Sequence, residues 1–218
     1  MSPRGSPRWF PFLVRLLRRL PRSLVRFEAS EIMAAPTSRL RLFPRVPKAF
    51  TVRPADAGDA ELLHRFFGAS AASRVPSAQD ACIVAVGEGE IHAVEWVWRG
   101  PSAYDGDAAR LVVRMRVPAG SCWLHNGRNA GSEQVVGPWG MIMGRLRALL
   151  EPEGVGRLFL QVDTEDAYSV ACHESLGFRS VGCVAALRLL GGALVAFRPP
   201  GGGWSRLDGE LDLSRLEV

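Results

Sequence analysis

The chain has 218 residues, 47% of them hydrophobic and 22% charged, with a formal net charge of +5. That length allows one well-buried core and a short appendage but leaves two full domains cramped. Gly and Pro are raised without a repeating period, so neither a collagen-like nor a wholly disordered chain fits.

The basic charge is concentrated at the front: Arg4, Arg8, Arg15, Arg18, Arg19, Arg22, Arg26, Arg39, Arg41, Arg45 and Lys48 face only Glu28 and Glu31. From Ala49 onward acids outnumber bases, so the basic signal belongs to residues 1–48, which read as a partly amphipathic arm outside the domain. Within it the apolar run Trp9 to Leu20 follows positive residues as in a signal peptide. Pro11, Arg15, Arg18 and Arg19 interrupt the run, however, and no small-residue cleavage site follows. Phe10, Leu13, Leu17, Leu20 and Leu24 share a helical face, which suits an anionic membrane surface or a protein partner for residues 1–32 better than nucleic acid. The competing reading is a disordered arm, or translation beginning at Met33.

Beyond the loop-like 35–48, Ala49 to Arg53 reads as a short strand, and Asp56 to Phe67 carries helical spacing in Leu62, Leu63, Phe66 and Phe67. Ala81 to Val86, the turn Gly87-Glu88-Gly89, and Glu90 to Trp98 form a β-hairpin pattern. A Gly100 to Asp107 loop leads to Arg110 to Val117, where Leu111, Val113, Met115 and Val117 alternate as in a half-buried strand. Ser121 to Arg128 reads as a further strand despite Gly127. From Gly137 the spacing turns helical through Met141, Ile142, Leu146, Leu149 and Leu150, and Pro152, Gly154 and Gly156 stop it.

Leu158 to Val162 is a compact buried strand. Asp163 or Thr164 can cap the following helix, and Gly177 can end it in a left-handed conformation. Phe178 to Val195 supplies strands around Gly191 and Gly192, and residues 199–218 read as a loosely held Gly/Pro-rich tail. The order predicts an α/β (α+β) fold, a mixed, mostly antiparallel sheet flanked by helices, over residues 49–198.

Cys82, Cys122, Cys172 and Cys183 lie singly, with no C-x-x-C pair and no histidine at zinc-finger spacing, so reduced thiols in a cytoplasmic protein and no metal are expected. No G-x-x-x-x-G-K-[ST], H-E-x-x-H or G-x-S-x-G occurs, so a P-loop NTPase, a zincin and an ordinary serine hydrolase have no support.

The helix beginning at Gly137 is entered through Gln134-Val135-Val136-Gly137-Pro138-Trp139, and the helix after the next strand carries Asp166, Ser169, His173, Gly177 and Phe178. These stretches resemble the R/Q-x-x-G-x-G/A loop and the N-x-x-A/S-x-x-x-Y-x-x-x-G-F helix of the Gcn5-related N-acetyltransferase (GNAT) superfamily. The interval between them fits without a gap, and Phe50-Thr51-Val52-Arg53-Pro54-Ala55 resembles that family's opening strand. The resemblance spans roughly residues 49 to 195. It implies acetyl-CoA as co-substrate, an amine acceptor, direct transfer of the acetyl group, and room for a homodimer.

A helix N-terminus, with unpaired amide hydrogens and partial positive charge, is a natural seat for a pyrophosphate. The resemblance puts the CoA site at Gln134, Val135, Val136, Gly137, Trp139, Gly140, Asp166, Ser169 and His173, with Leu124, His125 and Asn126 on a strand that splays to admit the pantetheine arm. Three positions depart from the pattern: Pro138 has no amide hydrogen, Val135 replaces a frequent glycine, and Trp139 stands where most members have Gly or Ala. A catalytically degenerate GNAT-like regulatory or scaffolding module is therefore the alternative.

Asp166, Ser169 and His173 share a helix face, and His173 falls where the family has the tyrosine that protonates the departing thiolate; a histidine can do the same. For the base that deprotonates the amine, Glu95 ranks first, with His125 and Glu133 also available and none singled out by spacing. Trp96, Trp98 and Trp123 read as core rather than as an acceptor pocket.

Overall fold

The computed structural model describes residues 25–41, 49–68, 76–105, 113–130, 137–189 and 192–216. Among these, twelve strands and three α-helices alternate in chain order: β1 (Val25–Pro36), β2 (Phe50–Pro54), α1 (Ala60–Phe67), β3 (Asp80–Gly87), β4 (Glu90–Arg99), β5 (Ser102–Tyr104), β6 (Arg114–Val117), β7 (Ser121–Asn129), α2 (Pro138–Leu150), β8 (Arg157–Asp163), α3 (Ala167–Ser175), β9 (Arg179–Leu189), β10 (Gly192–Arg198), β11 (Ser205–Arg206) and β12 (Glu210–Asp212). Nine of the strands form one sheet in the order β11-β10-β9-β1-β8-β7-β4-β3-β2, antiparallel throughout except for β7 beside β8. This is the mixed, mostly antiparallel sheet that the element order predicts.

Period-2 alternation divides the sheet between two coverings. Ile83 and Ala85 of β3, with Ala93 and Val97 of β4, face α2, whose Ile142, Met143, Leu146 and Leu150 are all buried on them. Cys82, Val84, Val94 and Trp96 face the other way, under Leu63 of α1. Farther along that second face, Trp123 and Phe159 pack under a small sheet of β12, β6 and β5, which contributes Met115, Val117 and Tyr104. Each such large side chain withdrawn from water contributes about 1.5–3 kcal/mol.

Two segments differ from their sequence reading. Residues 25–41, assigned to the arm of residues 1–48, belong to the domain: β1 lies inside the sheet, paired with β8 from Ser30 to Pro36 and with β9 from Val25 to Ala34. The second half of β1 is covered on both faces, Met33 and Ala35 toward α2 and Ile32 and Ala34 toward β6, so Ile32 to Ala35 has no polar alternation, whereas Val25 to Ser30 alternates apolar and polar residues. Met33 is the ninth of the strand's twelve residues and is fully buried, so a chain beginning there would lack Val25 to Ile32. Residues 1–24, where the amphipathic spacing falls, lie outside the described residues.

The expected loose tail is the second correction. β12 pairs in parallel with β6, and Leu211, Leu213 and Leu216 are buried in the core that β6 completes. Asp212 caps the turn that carries Leu213 by accepting from the Ser214 amide at 3.0 Å. A smaller difference is β5, which forms inside the expected Gly100 to Asp107 loop; β6 coincides with the end of the strand expected over Arg110 to Val117, of which residues 110–112 lie outside the described residues. No helix among the described residues is long and apolar enough to cross a membrane.

Candidate functional site

The geometry of the site begins with a break in the sheet. β7 and β8 pair only at Ser121–Arg157, Cys122–Leu158 and Trp123–Phe159; past these, β7 continues along β4 to Asn129 and β8 along β1 to Asp163 with no pairing between them. The cause lies in β7. Its register with β4 passes from Trp96–His125 to Val94–Arg128, so Asn126 and Gly127 together stand opposite the single residue Glu95. This bulge, with Asn126 at a φ of 53°, bends the strand away from β8.

Glu95 lies between Val94 and Trp96, which face α1, so its own side chain faces α2. There the indole Nε1–H of Trp139 donates to its Oε2 at 2.6 Å. Gly127 makes the contact possible: a Cβ at that position would stand 2.2 Å from Glu95 Oε2 and 2.7 Å from Trp139 Nε1. Glu95 is 4% exposed. Burial pushes its carboxyl up to about 8, against the opposing pull of the indole hydrogen bond, so at pH 7 the proton is mostly in place.

His173 reaches the same spot from α3. Asp166 caps that helix by accepting from the Ser169 amide at 2.8 Å, the role the sequence reading gave to Asp163 or Thr164; Asp163 accepts instead from the Glu165 amide. Gly177, at a φ of 107°, closes the helix, and the Phe178 amide bonds back to the His173 carbonyl, which brings the Phe178 ring edge-on to His173. The His173 ring meets Trp139 edge to face at 5.2 Å.

Nδ1–H of His173 donates to the Ser169 carbonyl at 2.7 Å, leaving Nε2 as the acceptor of a neutral ring. Burial lowers the pKa of this histidine, while the Ser169 bond and the Asp166 charge work the other way. Before Nε2 can give up a proton it must first gain one.

The anion-binding end is less complete. Gln134, Val135 and Val136 fall outside the described residues, as does Glu133. Gly137 precedes α2 in extended conformation and Pro138 opens the helix without an amide hydrogen. The Trp139 amide donates to Asn129 Oδ1 at 2.8 Å, and the Gly140 amide to the Gly137 carbonyl at 2.9 Å. The first-turn donors that a helix start offers an anion are thus largely engaged within the protein.

His125 does not join Glu95. It points to the opposite face with Trp96, donates from Nε2 to Asp80 Oδ1 at 2.9 Å, accepts at Nδ1 from the Asn126 side-chain Nδ2 at 3.1 Å and lies against Tyr104 at 4.7 Å. Leu124 packs in the core under α2. Of the residues singled out from the sequence, Glu95, Trp139 and His173 come together, while Asp166 and Ser169 hold α3 and its histidine. Three contributors were missed: Gly127 as spacer, Asn129 as cap of α2 and Asp80 as partner of His125. None carries a local signal, since each acts on a residue distant in sequence.

No protein-family model and no curated protein matches the chain. Solved structures do match. A GNAT-family protein from Novosphingobium aromaticivorans superposes with a TM-score of 0.53 at 13% identity, over 76% of this chain and 66% of that one. GCN5-related N-acetyltransferases from Kribbella flavida (0.50, 14%, 85% and 65%) and Sphaerobacter thermophilus (0.52, 15%, 93% and 58%) match similarly. The chain thus spans just under two thirds, or less, of the length of these neighbours. At such identities the likeness is one of fold, and the fold is that of the GNAT superfamily, as the sequence resemblance implies.

Proposed function

We propose that the protein is an acyl-CoA-dependent N-acyltransferase that moves an acetyl group from acetyl-CoA directly to an amine. The observation that carries this reading is the opening between β7 and β8, with Glu95 and His173 converging on its helix side. The pantetheine arm enters between the separated strands, and the thioester carbonyl is polarised by β7 backbone amides around Leu124 to Asn126.

The amine nitrogen attacks the carbonyl carbon, the C–N bond forms, the C–S bond breaks, nitrogen loses one proton to the protein and the CoA sulfur gains one from it. Glu95 takes the proton from nitrogen after first giving up its own, because burial raises its pKa and keeps the carboxyl mostly protonated at pH 7. His173 returns one to the thiolate after being charged. Holding the two substrates in register supplies much of the rate. The four cysteines are free thiols, which suits a cytoplasmic setting.

One observation favours the second reading, a GNAT-like module without catalysis: the Trp139 amide is taken by Asn129 and Pro138 has none to offer a pyrophosphate. Calorimetric titration of acetyl-CoA and CoA into the full chain separates the two. Micromolar binding that weakens when Gly137 is replaced by a bulky residue supports the transferase; folded protein that binds neither ligand leaves the module.

A further inference from the structure

Trp139 sits between the two groups that the proposed chemistry uses. From the first turn of α2 its indole crosses β7 at Gly127 to reach Glu95 on β4 at 2.6 Å, and the same ring meets His173 of α3 at 5.2 Å. Gly127 belongs to the part of β7 that has separated from β8, and α3 lies against β8. A ring in contact with Glu95 on one side and His173 on the other therefore fills the helix-side mouth of the opening, where a thioester would have to lie to reach both. The main chain of the same residue is tied as well, through its amide to Asn129.

We propose that Trp139 is the gate of the acyl-thioester cleft: its indole closes the space between Glu95 and His173 and leaves Glu95 when an acyl thioester enters. This inference rests on the acyl-CoA reading above. Its thermodynamic consequence is a discount on affinity, because a ligand that binds only the open form must bear the free energy of opening. Opening chiefly breaks the indole–carboxyl hydrogen bond, and a bond of that kind corresponds to about a tenfold change in affinity.

The test compares the full-length wild type with Trp139→Phe, which keeps a ring in place but has no N–H to hold Glu95. Calorimetric titration with acetyl-CoA is expected to show the variant binding about tenfold more tightly. A second readout uses the wild type alone. In a ¹⁵N-labelled sample the Trp139 indole resonance, identified as the one missing from Trp139→Phe, is expected to shift on saturation with acetyl-CoA. Equal affinities together with an unmoved indole resonance overturn the gate and leave the transferase reading standing. If both folded proteins bind no acetyl-CoA, the transferase reading fails and the gate fails with it.

Discussion

The burial of Glu95 makes a quantitative prediction about stability and pH. Between its ordinary value of 4.5 and its folded value of about 8, the folded protein keeps a proton that the unfolded chain has released. Stability therefore falls as pH rises through that window and levels off above 8. At 1.36 kcal/mol per pH unit the ceiling is about 5 kcal/mol. Local opening that lets water reach the carboxylate caps the loss, so a fall on the order of 2–5 kcal/mol is expected.

His173 acts oppositely: its lowered pKa costs stability as pH drops below its unfolded value, about 6.5. The Glu95→Gln variant isolates the carboxyl, because its amide oxygen still accepts from the Trp139 indole but nothing titrates. Urea unfolding of both proteins at several pH values from 5 to 9 is the assay. With a urea slope of about 3 kcal/mol per molar, a 3 kcal/mol loss moves the wild-type midpoint down by about 1 M, while the variant stays level above pH 6.5. Parallel curves for the two proteins would refute the assignment of a buried carboxyl that holds its proton in the folded protein.

Gly127→Ala drives a methyl group into both Glu95 and Trp139, and a loss of about 1–3 kcal/mol in chemical denaturation is expected. The penalty should shrink in a Trp139→Phe background, because the two positions share a contact. Asn129→Ala removes the acceptor for the Trp139 amide and should lower stability by about 1 kcal/mol, read as a shift in thermal midpoint. Leu213→Ala empties a fully buried position under β6 and is expected to cost about 2–5 kcal/mol; an unchanged melting temperature would show that residues 211–216 do not hold the core. A chain beginning at Met33 loses the buried Phe27, Ala29 and Ile32 of a strand that joins β8 to β9, and should show no cooperative unfolding by circular dichroism.

The β3–β4 hairpin, α2 and β8 were legible because their apolar residues keep one period and are bounded by glycine or proline, and α3 was legible from its terminating Gly177 and the spacing of Asp166, Ser169 and His173. β1 was not. Its arginines drew it into the basic arm and hid the alternation of Val25, Phe27 and Ala29 with Arg26, Glu28 and Ser30, and the Ile32 to Ala35 run that follows is buried on both faces with no alternation to read. The C-terminal residues were hidden by the glycines at 201–203, although Leu211 and Leu213 follow at strand spacing.

At the site, the sequence pointed separately to Glu95, Trp139 and His173. Their meeting depends on the bulge at Asn126 and the missing side chain at Gly127, which set the direction of β7 and the clearance above it. Trp139 stood out only as a departure from the family's pattern. Its partner Glu95 lies 44 residues away and becomes its neighbour through the β4–β7 pairing.

The central claim, that acyl-CoA enters between β7 and β8, is tested most directly by amide hydrogen exchange with and without saturating acetyl-CoA. Slowed exchange confined to residues 124–129, 160–163 and the first turns of α2 and α3 is the predicted result. Unchanged exchange there, or protection only at other segments, would contradict it.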